Sequence, residues 1–310
     1  MYKPKIVFLY KKSNKYFNRH HSDSQLFFFY LRALPRNDDI QLRIIAEDNE
    51  FDALDLEGKC DVLLLFDILP WGGPDVIKNL DKVSYLKILN CGDCHQASNI
   101  INGKTKIDHC REAKIDYYHW HHPESYFYKF WPRDWKYWQI QVGIEEDLYK
   151  NIKPFNDRIS DKILNTGVLS KSYRLRNSVN KHSRVYHSPH RGKKSITGIN
   201  YTKLLQEYKA VISACTLYTV TKYIEGSAAG CLNFMEVTPQ NCGENLGFVD
   251  AESSVFINEM NYCQKFDEFI SDSSNPKWMK IAKTGREFVM SHYTNNHTIA
   301  ELIKRIKEVI

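Results

Sequence analysis

The sequence predicts an α/β protein built from two parallel, doubly wound sheets. Short apolar runs alternate with longer amphipathic stretches along the 310 residues. Strands that are apolar at nearly every position are typical of parallel sheets covered by helices on both faces. The alternation stops in a charged, proline-containing stretch at 145–162 and then starts again. We therefore expect two domains of similar size, at 1–152 and 153–295, followed by a final helix at 296–310.

The predicted elements follow this alternation in chain order. In the first half the strands are 5–10, 41–47, 61–66, 86–90 and 138–143. After the first strand we expect a helix that is capped by Ser22 or Asp23 and ends at Pro35. In the second half the strands are 162–167, 184–187, 210–214 and 231–237, separated by helices that start near 171 and that cover 200–208 and 219–229. Two helical patterns, from Pro276 and from Asn295, close the chain.

Composition favours a soluble globular protein and excludes several other classes. Residues are 43% hydrophobic and 26% charged, and the net charge of +6 is spread along the chain, which supports only a weak attraction to anions. The first apolar run has six residues without a cleavage site, and no run approaches the ~20 residues that span a bilayer. We therefore expect a cytoplasmic protein without a transmembrane segment, in which peripheral membrane contact stays open. Its eight cysteines are expected to be reduced, mostly as small core residues.

Two turns in the second half have the composition of an anion site. In ILNTGVLSKSYRLR a strand ends at Gly167, and Lys171, Arg174 and Arg176 follow as the next helix begins. Ligands of doubly wound sheets bind beyond the carboxyl ends of strands, where such cations would neutralise a diphosphate. In TLYTVTKYIEGSAAGC, threonines and Lys222 precede a short helix that carries Glu225. A carboxylate there is suited to accept hydrogen bonds from ribose hydroxyls, although a solvated glutamate on an alanine-rich helix is the structural alternative.

Together these segments resemble the donor-binding domain of GT-B glycosyltransferases, in the group-1 branch that includes CgeB-like spore maturation proteins. The resemblance is carried by NTGVLSKSYRLR (165–176), YTKLLQEYKAVIS (201–213), KYIEGSAAGC (222–231) and IAKTGREFVMSHYT (281–294), and it covers about 160–305. It implies two facing Rossmann-like domains, the first for the acceptor, with the final helix crossing back to the first. The implied donor site consists of Gly167, Ser170, Lys171, Tyr173, Arg176, His187, Thr219, Val220, Thr221, Lys222 and Glu225.

The sequence departs from this family at one acidic position. Many group-1 enzymes carry a second glutamate eight residues before the one that resembles Glu225, and here that position is Leu217. The usual pair of glutamates therefore cannot be transferred to this chain, which leaves a non-catalytic nucleotide-binding relative as an alternative.

Asp93 and His95 are the predicted catalytic residues of the first domain. They follow a strand in CGDCH and resemble the D-x-H of some relatives, and either is suited to act as general base on an acceptor hydroxyl. Asp93 as a simple helix cap stays equally open. The same letters match the c-type haem pattern, which we reject because no export signal accompanies it. Zinc held by Cys91, Cys94 and His95 with His109, Cys110 or the histidines of HWHH (119–122) is a further alternative.

Four of the six tryptophans lie in WHHPESYFYKFWPRDWKYW (120–138). We expect core packing with a few exposed rings, but an aromatic segment with nearby lysines and arginines also suits single-stranded nucleic acid. The function predicted overall is transfer of a hexosyl or pentosyl group from a nucleotide sugar to a hydroxyl of a glycan or other acceptor, as in polysaccharide biosynthesis. Neither a permanent cofactor nor a metal is expected, and no nucleic-acid partner. The sugar, the base, the acceptor and the stereochemistry stay open.

Overall fold

The computed structural model describes residues 2–17, 25–68, 72–170, 173–188 and 196–310, and the chain divides into two compact units. Unit 1 comprises residues 1–142 together with 298–310, and unit 2 comprises 143–297. Residues 143–152, predicted for the first domain, group with unit 2. The reason lies in their partners, since Ile144 pairs with Thr294 and the Asn295 amide donates to Glu145 over 3.2 Å. The charged stretch at 145–162 thus lies inside unit 2 and is not a linker between the units.

Unit 1 contains a six-stranded parallel sheet. The strands of this unit are β1 (Lys5–Tyr10), β2 (Gln41–Ala46), β3 (Glu50–Asp52), β4 (Val62–Phe66), β5 (Val76–Lys78), β6 (Leu86–Asn90), β7 (Ile100–Ile101), β8 (Lys104–Thr105), β9 (Tyr117–Trp120) and β10 (Tyr137–Gln139). The main sheet has the order β10-β9-β6-β4-β1-β2, while β3 with β5 and β7 with β8 form small pairs. Its centre is β4, where Val62–Leu65 are fully buried. Apolar side chains on both faces of this strand are what a sheet covered on two sides requires.

Two elements of unit 1 differ from the prediction. The sequence does not signal β9, because His119 interrupts its apolar pattern, yet that histidine is buried in the sheet. The strand predicted at 138–143 is shorter, Tyr137–Gln139. The predicted N-terminal helix is observed as α1 (Gln25–Phe27), which continues as a π-helical turn (Phe28–Ala33) and a 3₁₀ turn that ends at Arg36. The predicted caps Ser22 and Asp23 lie outside the described residues. The two other helices of this unit are α2 (Lys106–Glu112) and α3 (Glu124–Phe127).

Unit 2 contains a five-stranded parallel sheet covered by helices. Its strands are β11 (Ile159–Thr166), β12 (Val185–Ser188), β13 (Tyr208–Ser213), β14 (Leu232–Glu236) and β15 (Val255–Ile257), in the order β12-β11-β13-β14-β15. The helices are α4 (Arg174–Val179), α5 (Gly198–Gln206), α6 (Lys222–Ala228), α7 (Tyr262–Ser271), α8 (Pro276–His292) and α9 (Asn295–Lys307). The chain leaves unit 2 within the first turn of α9, so that residues 298–310 belong to unit 1. No helix within the described ranges combines the length and the hydropathy that crossing a bilayer demands.

The register of this sheet decides which residues meet at its carboxyl edge. Asn165 of β11 lies beside Ile212 of β13, and Ser213 lies beside Met235 of β14. The segments that follow Thr166, Ser213 and Met235 therefore emerge next to one another on one edge. In doubly wound sheets this edge is where ligands bind.

Candidate functional site

Gly167 begins the loop after β11 and brings two cationic side chains together. Its φ of +101° is one that L side chains rarely adopt. A Cβ at this position would collide with Lys222 Nζ and would lie 3.2 Å from Arg176 Nη1. Lys222 Nζ also donates to the carbonyl of Thr166 over 2.5 Å. Glycine is thus needed here because both cations pack directly against the backbone.

Arg176 is buried and is held by backbone carbonyls. Its Nε donates to Ala214 O over 3.0 Å and its Nη1 to Val168 O over 3.2 Å, so the guanidinium links the ends of β11 and β13. The guanidinium also lies over the ring of Tyr173, 4.2 Å from the centroid. In the described part of the chain neither Arg176 nor Lys222 forms an ion pair. The two cationic groups therefore lie side by side at Gly167 with no described carboxylate in direct contact.

Lys222 is the first residue of α6, and its ammonium is poorly hydrated. Burial and, after it, the neighbouring Arg176 charge together lower the pKa of Lys222 to about 7, although Glu225 acts in the opposite direction. An anion at this position would favour the charged form of the amine, because opposite charges raise the pKa of a lysine.

Glu225 is 6% exposed and lies one turn further along α6. The next residue, Gly226, allows close packing, since a Cβ there would lie 2.7 Å from Val211 Cγ2 of β13. The pKa values of Tyr149 and Tyr201 are raised mainly by burial and next by the negative charge of Glu225. The Tyr201 hydroxyl lies 3.1 Å from Thr166 Oγ1, so Glu225 belongs to the side of the edge where β11 ends.

Several buried polar atoms at this edge have no hydrogen-bond partner among the described residues, and two of them lie beside the cations or in the loop before α6. These two are Nδ1 of His187, on β12, and Oγ1 of Thr219, in that loop. Burial lowers the pKa of His187, and the charges of Lys222 and Arg176 lower it further, so the ring is neutral near pH 7 and lies close to both cations. Buried polar atoms without partners are uncommon and indicate a role that the folded chain alone does not satisfy.

The remaining predicted donor residues line the two loops. The carbonyl of Ser170 accepts from Tyr173 N over 3.0 Å, which shapes the loop before α4. Thr221 is the N-cap residue of α6, but its side chain makes no capping hydrogen bond, and the carbonyl of Val220 accepts from Tyr223 N. The helix predicted at 219–229 is shorter, Lys222–Ala228, and Gly230, with a φ of +71°, follows its C-cap residue. Lys171 lies outside the described residues.

Glu236 is a buried carboxylate that the sequence does not single out. It ends β14 and is 2% exposed. Thr216 Oγ1 donates to its Oε1 over 2.9 Å, whereas Oε2 has no partner among the described residues. The pKa of Glu236 is raised to about 7, because burial outweighs the hydrogen bond from Thr216 and the charge of Arg176, which both lower it. A glutamate at the end of an apolar strand is the sequence feature that could have identified this residue, but the pattern of CLNFMEV by itself predicts only a strand.

In unit 1 the predicted catalytic residues lie next to a buried histidine. Asp93 precedes a 3₁₀ turn (Cys94–Gln96) and makes no capping hydrogen bond with its side chain. Its Oδ1 lies 3.8 Å from His122 Nε2, and His122 Nδ1 lies 3.2 Å from Cys94 Sγ. Burial raises the pKa of Asp93, and the charges of His95 and Lys106 oppose that shift. His122 is therefore the neighbour of Asp93 that sequence reasoning missed, since the sequence suggests this histidine only as a possible zinc ligand.

Most described cysteine and histidine side chains of unit 1 are buried, but His95 is exposed, and Cys94 contacts His122. Cys91 is buried beside Lys106, which donates to its carbonyl over 2.9 Å and pairs with Asp67 over 2.8 Å. Burial lowers the pKa values of His119 and His121 to about 3. Among the residues that the structure describes, no group of three or more histidine, cysteine, aspartate or glutamate side chains is arranged to hold a metal ion.

The aromatic segment of unit 1 mostly packs on itself. Trp120, Phe127 and Trp131 are buried, and Tyr118 stacks on Trp135 with ring centroids 4.7 Å apart. Phe130 is exposed at 37%. These faces are engaged by one another, which is the core packing with a few exposed rings that the sequence predicts.

Comparison with known proteins identifies the fold. No family model matches the sequence, and no curated protein matches it. Similar solved structures include HepE of Anabaena in complex with UDP and glucose, with a TM-score of 0.59 and 10% identity over 99% of this chain and 100% of that one. Sucrose-phosphate synthase from Thermosynechococcus elongatus has a TM-score of 0.58 and 9% identity over 99% of both chains. An alpha-glucosyltransferase in complex with UDP and a 13-mer DNA has a TM-score of 0.62 and 10% identity over 99% of this chain and 100% of that one.

These neighbours are GT-B glycosyltransferases, and the likeness extends over nearly the whole chain. It shows the fold, and the predicted GT-B fold class is confirmed. The CgeB-like branch stays a prediction.

Proposed function

We propose that this protein is a glycosyltransferase that moves a sugar from a nucleotide sugar to a hydroxyl group, with the donor bound at the carboxyl edge of the unit 2 sheet. The observation that carries the proposal is the cluster of Gly167, Arg176, Lys222 and Glu225 at this edge. It occurs in a fold whose solved examples include complexes with UDP and with UDP-glucose. Fold likeness and site chemistry thus favour the same class of ligand.

The chemistry of the cluster matches the parts of a nucleotide sugar. Lys222 and Arg176 supply two positive charges for the diphosphate, and Gly167 lets both cationic groups pack against the backbone at the strand end. Since the guanidinium already donates to Ala214 and Val168, Arg176 acts through its charge and not through a free bidentate fork. The Glu225 carboxylate is suited to accept hydrogen bonds from the ribose hydroxyls. Nδ1 of His187 and Oγ1 of Thr219 offer further hydrogen bonds near the cations.

The chemical step would use these same cations. As the glycosidic bond of the donor breaks, negative charge develops on the leaving diphosphate, and fixed cations in a poorly hydrated site stabilise that charge without reorganisation. In unit 1, Asp93 or His95 is the proposed base for the acceptor hydroxyl, and His122 Nε2 lies 3.8 Å from Asp93 Oδ1. We extend the proposal to hexosyl or pentosyl transfer in polysaccharide biosynthesis in the cytoplasm, without a bound metal or a permanent cofactor.

Calorimetric titration tests this function directly. The purified protein is titrated with UDP, GDP, ADP and TDP and with their common sugars, with and without a chelator. We expect one base to be bound, with slow hydrolysis of its sugar and no effect of the chelator. Failure to bind any of these ligands would contradict the proposal. Binding of single-stranded DNA that weakens steeply with salt would instead favour the nucleic-acid alternative.

A further inference from the structure

Glu236 is held in place from three directions. Its main-chain carbonyl accepts from the Tyr223 hydroxyl over 2.9 Å and from the Asn241 amide over 2.8 Å. Its side-chain Oε1 accepts from Thr216 Oγ1 over 2.9 Å. The same Asn241 amide also donates to the carbonyl of Cys215, which ties the end of β14 to the loop after β13. The position of this carboxylate is therefore fixed before any ligand binds.

The second carboxylate oxygen, Oε2, is left without a partner in the described part of the chain. A buried polar atom without a hydrogen bond destabilises a folded protein, so this glutamate is kept at the expense of stability. The carboxylate lies one side chain below the surface, since its partner Thr216 is partly exposed and the next residue, Leu217, is 37% exposed. Oε2 is thus a hydrogen-bonding group of fixed position close to solvent.

Strand order places Glu236, at the end of β14, across β13 from the loop that begins at Gly167. Across the sheet, β12 carries His187, β11 leads to Gly167, β13 leads to the loop with Thr216, and β14 ends at Glu236. The charge of Glu225 raises the pKa of Tyr201, whose hydroxyl contacts Thr166 at the end of β11. Arg176 donates to Val168 O after β11 and to Ala214 O after β13. Arg176 therefore lies between the ends of β11 and β13.

In a nucleotide sugar, the ribose and the sugar lie on opposite sides of the diphosphate. With the diphosphate at the cations and the ribose at Glu225, the sugar extends toward β14. We infer that Glu236 binds the donor sugar, with Oε2 accepting a hydrogen bond from a sugar hydroxyl while Thr216 holds Oε1. This inference rests on the proposed function and adds to it a residue that recognises the sugar.

Two binding measurements on each variant test the inference. Wild type, Glu236→Gln and Glu236→Leu are titrated with UDP and with UDP-glucose, or with GDP and GDP-mannose if the protein selects guanine. We expect the leucine variant to bind the nucleotide sugar about 10-fold or more weakly, the scale of losing a hydrogen bond to a carboxylate, and the diphosphate within about twofold of wild type. The glutamine variant keeps the shape and one acceptor, so we expect a smaller loss of the same kind.

Glu259→Gln is the matched control. Glu259 is exposed and its charge acts on Glu236, so this variant removes a nearby negative charge without touching the carboxylate. Both of its affinities should stay within about twofold of wild type.

The readout separates recognition of the sugar from a structural role. A structural role of Glu236 would lower the melting temperature and both affinities together, whereas recognition changes only the ratio of the two affinities. An unchanged ratio in either folded variant would overturn the inference while leaving the proposed function in place. If wild type binds neither ligand, the proposed function fails and the inference fails with it.

Discussion

Replacing Gly167 with alanine should damage both the stability of unit 2 and its affinity for nucleotides. The new methyl group requires a φ of +101° from an L residue, which costs roughly 1–2 kcal/mol. It also occupies the place of Lys222 Nζ, so the hydrogen bond from that amine to Thr166 O is lost, at about 1–2 kcal/mol. We therefore expect a loss of about 2–4 kcal/mol in the free energy of unfolding.

Gly58→Ala provides the matched control for backbone strain. Gly58 has a φ of +68°, and a Cβ there would meet nothing within 4 Å, so only the strain of roughly 1–2 kcal/mol remains. Urea unfolding measures both losses, and calorimetry with UDP measures affinity. The Gly167 variant should bind UDP about tenfold or more weakly, because both cations pack on this residue, whereas the control should bind as wild type does. Equal stability losses with unchanged UDP affinity would refute the packing argument.

Three further predictions concern charge. Glu225→Ala should weaken UDP binding by about 1.5–3 kcal/mol, the scale of hydrogen bonds to a charged group, and unchanged affinity in a folded variant would remove Glu225 from the site. The pKa of Lys222 is about 7, and a bound anion raises it. Donor affinity should therefore fall by at most about tenfold per pH unit as the pH rises above 7. The Lys222→Gln variant should show a flat profile between about pH 7 and 9. His187, with its lowered pKa, stays neutral over that range, so a flat wild-type profile would contradict this reasoning. Asp93→Asn should lower donor turnover by about 100-fold with donor affinity unchanged. Because the pKa of Asp93 is raised, the wild-type rate should rise with pH as this carboxyl loses its proton. An unchanged rate in the Asp93→Asn variant would exclude Asp93 as the base.

The sequence predicts the sheets well because their strands are apolar throughout. β4 and β13 are buried on both faces, as their nearly continuous apolar sequences predict. β9 is missed because its buried His119 interrupts the apolar pattern. β15 is missed because its three residues are too few to show an apolar pattern. Short elements depend on their neighbours, and a single sequence does not show those neighbours.

The candidate site was predictable only where a local motif marks it. Glycine at a strand end and cations before a helix indicate the edge near Gly167. Glu236 and His122 carry no such mark, because each depends on a partner distant in sequence, Thr216 for the first and Asp93 for the second. The roles of the predicted site residues stay predictions that the experiments above address.

The passage of α9 from one unit to the other has a consequence for biosynthesis. Leu302 and Ile306 of this helix are fully buried, and Lys307 pairs with Asp39 over 2.8 Å, so unit 1 draws part of its core from residues that follow unit 2 in the chain. Domains generally fold as they leave the ribosome, N-terminal part first, at about 5–20 residues per second. Here the half that is translated first must wait roughly ten seconds or more for its last helix, while the half translated second has all its residues earlier. A nascent chain halted before residue 298 would therefore lack the apolar side chains with which α9 completes the core of unit 1.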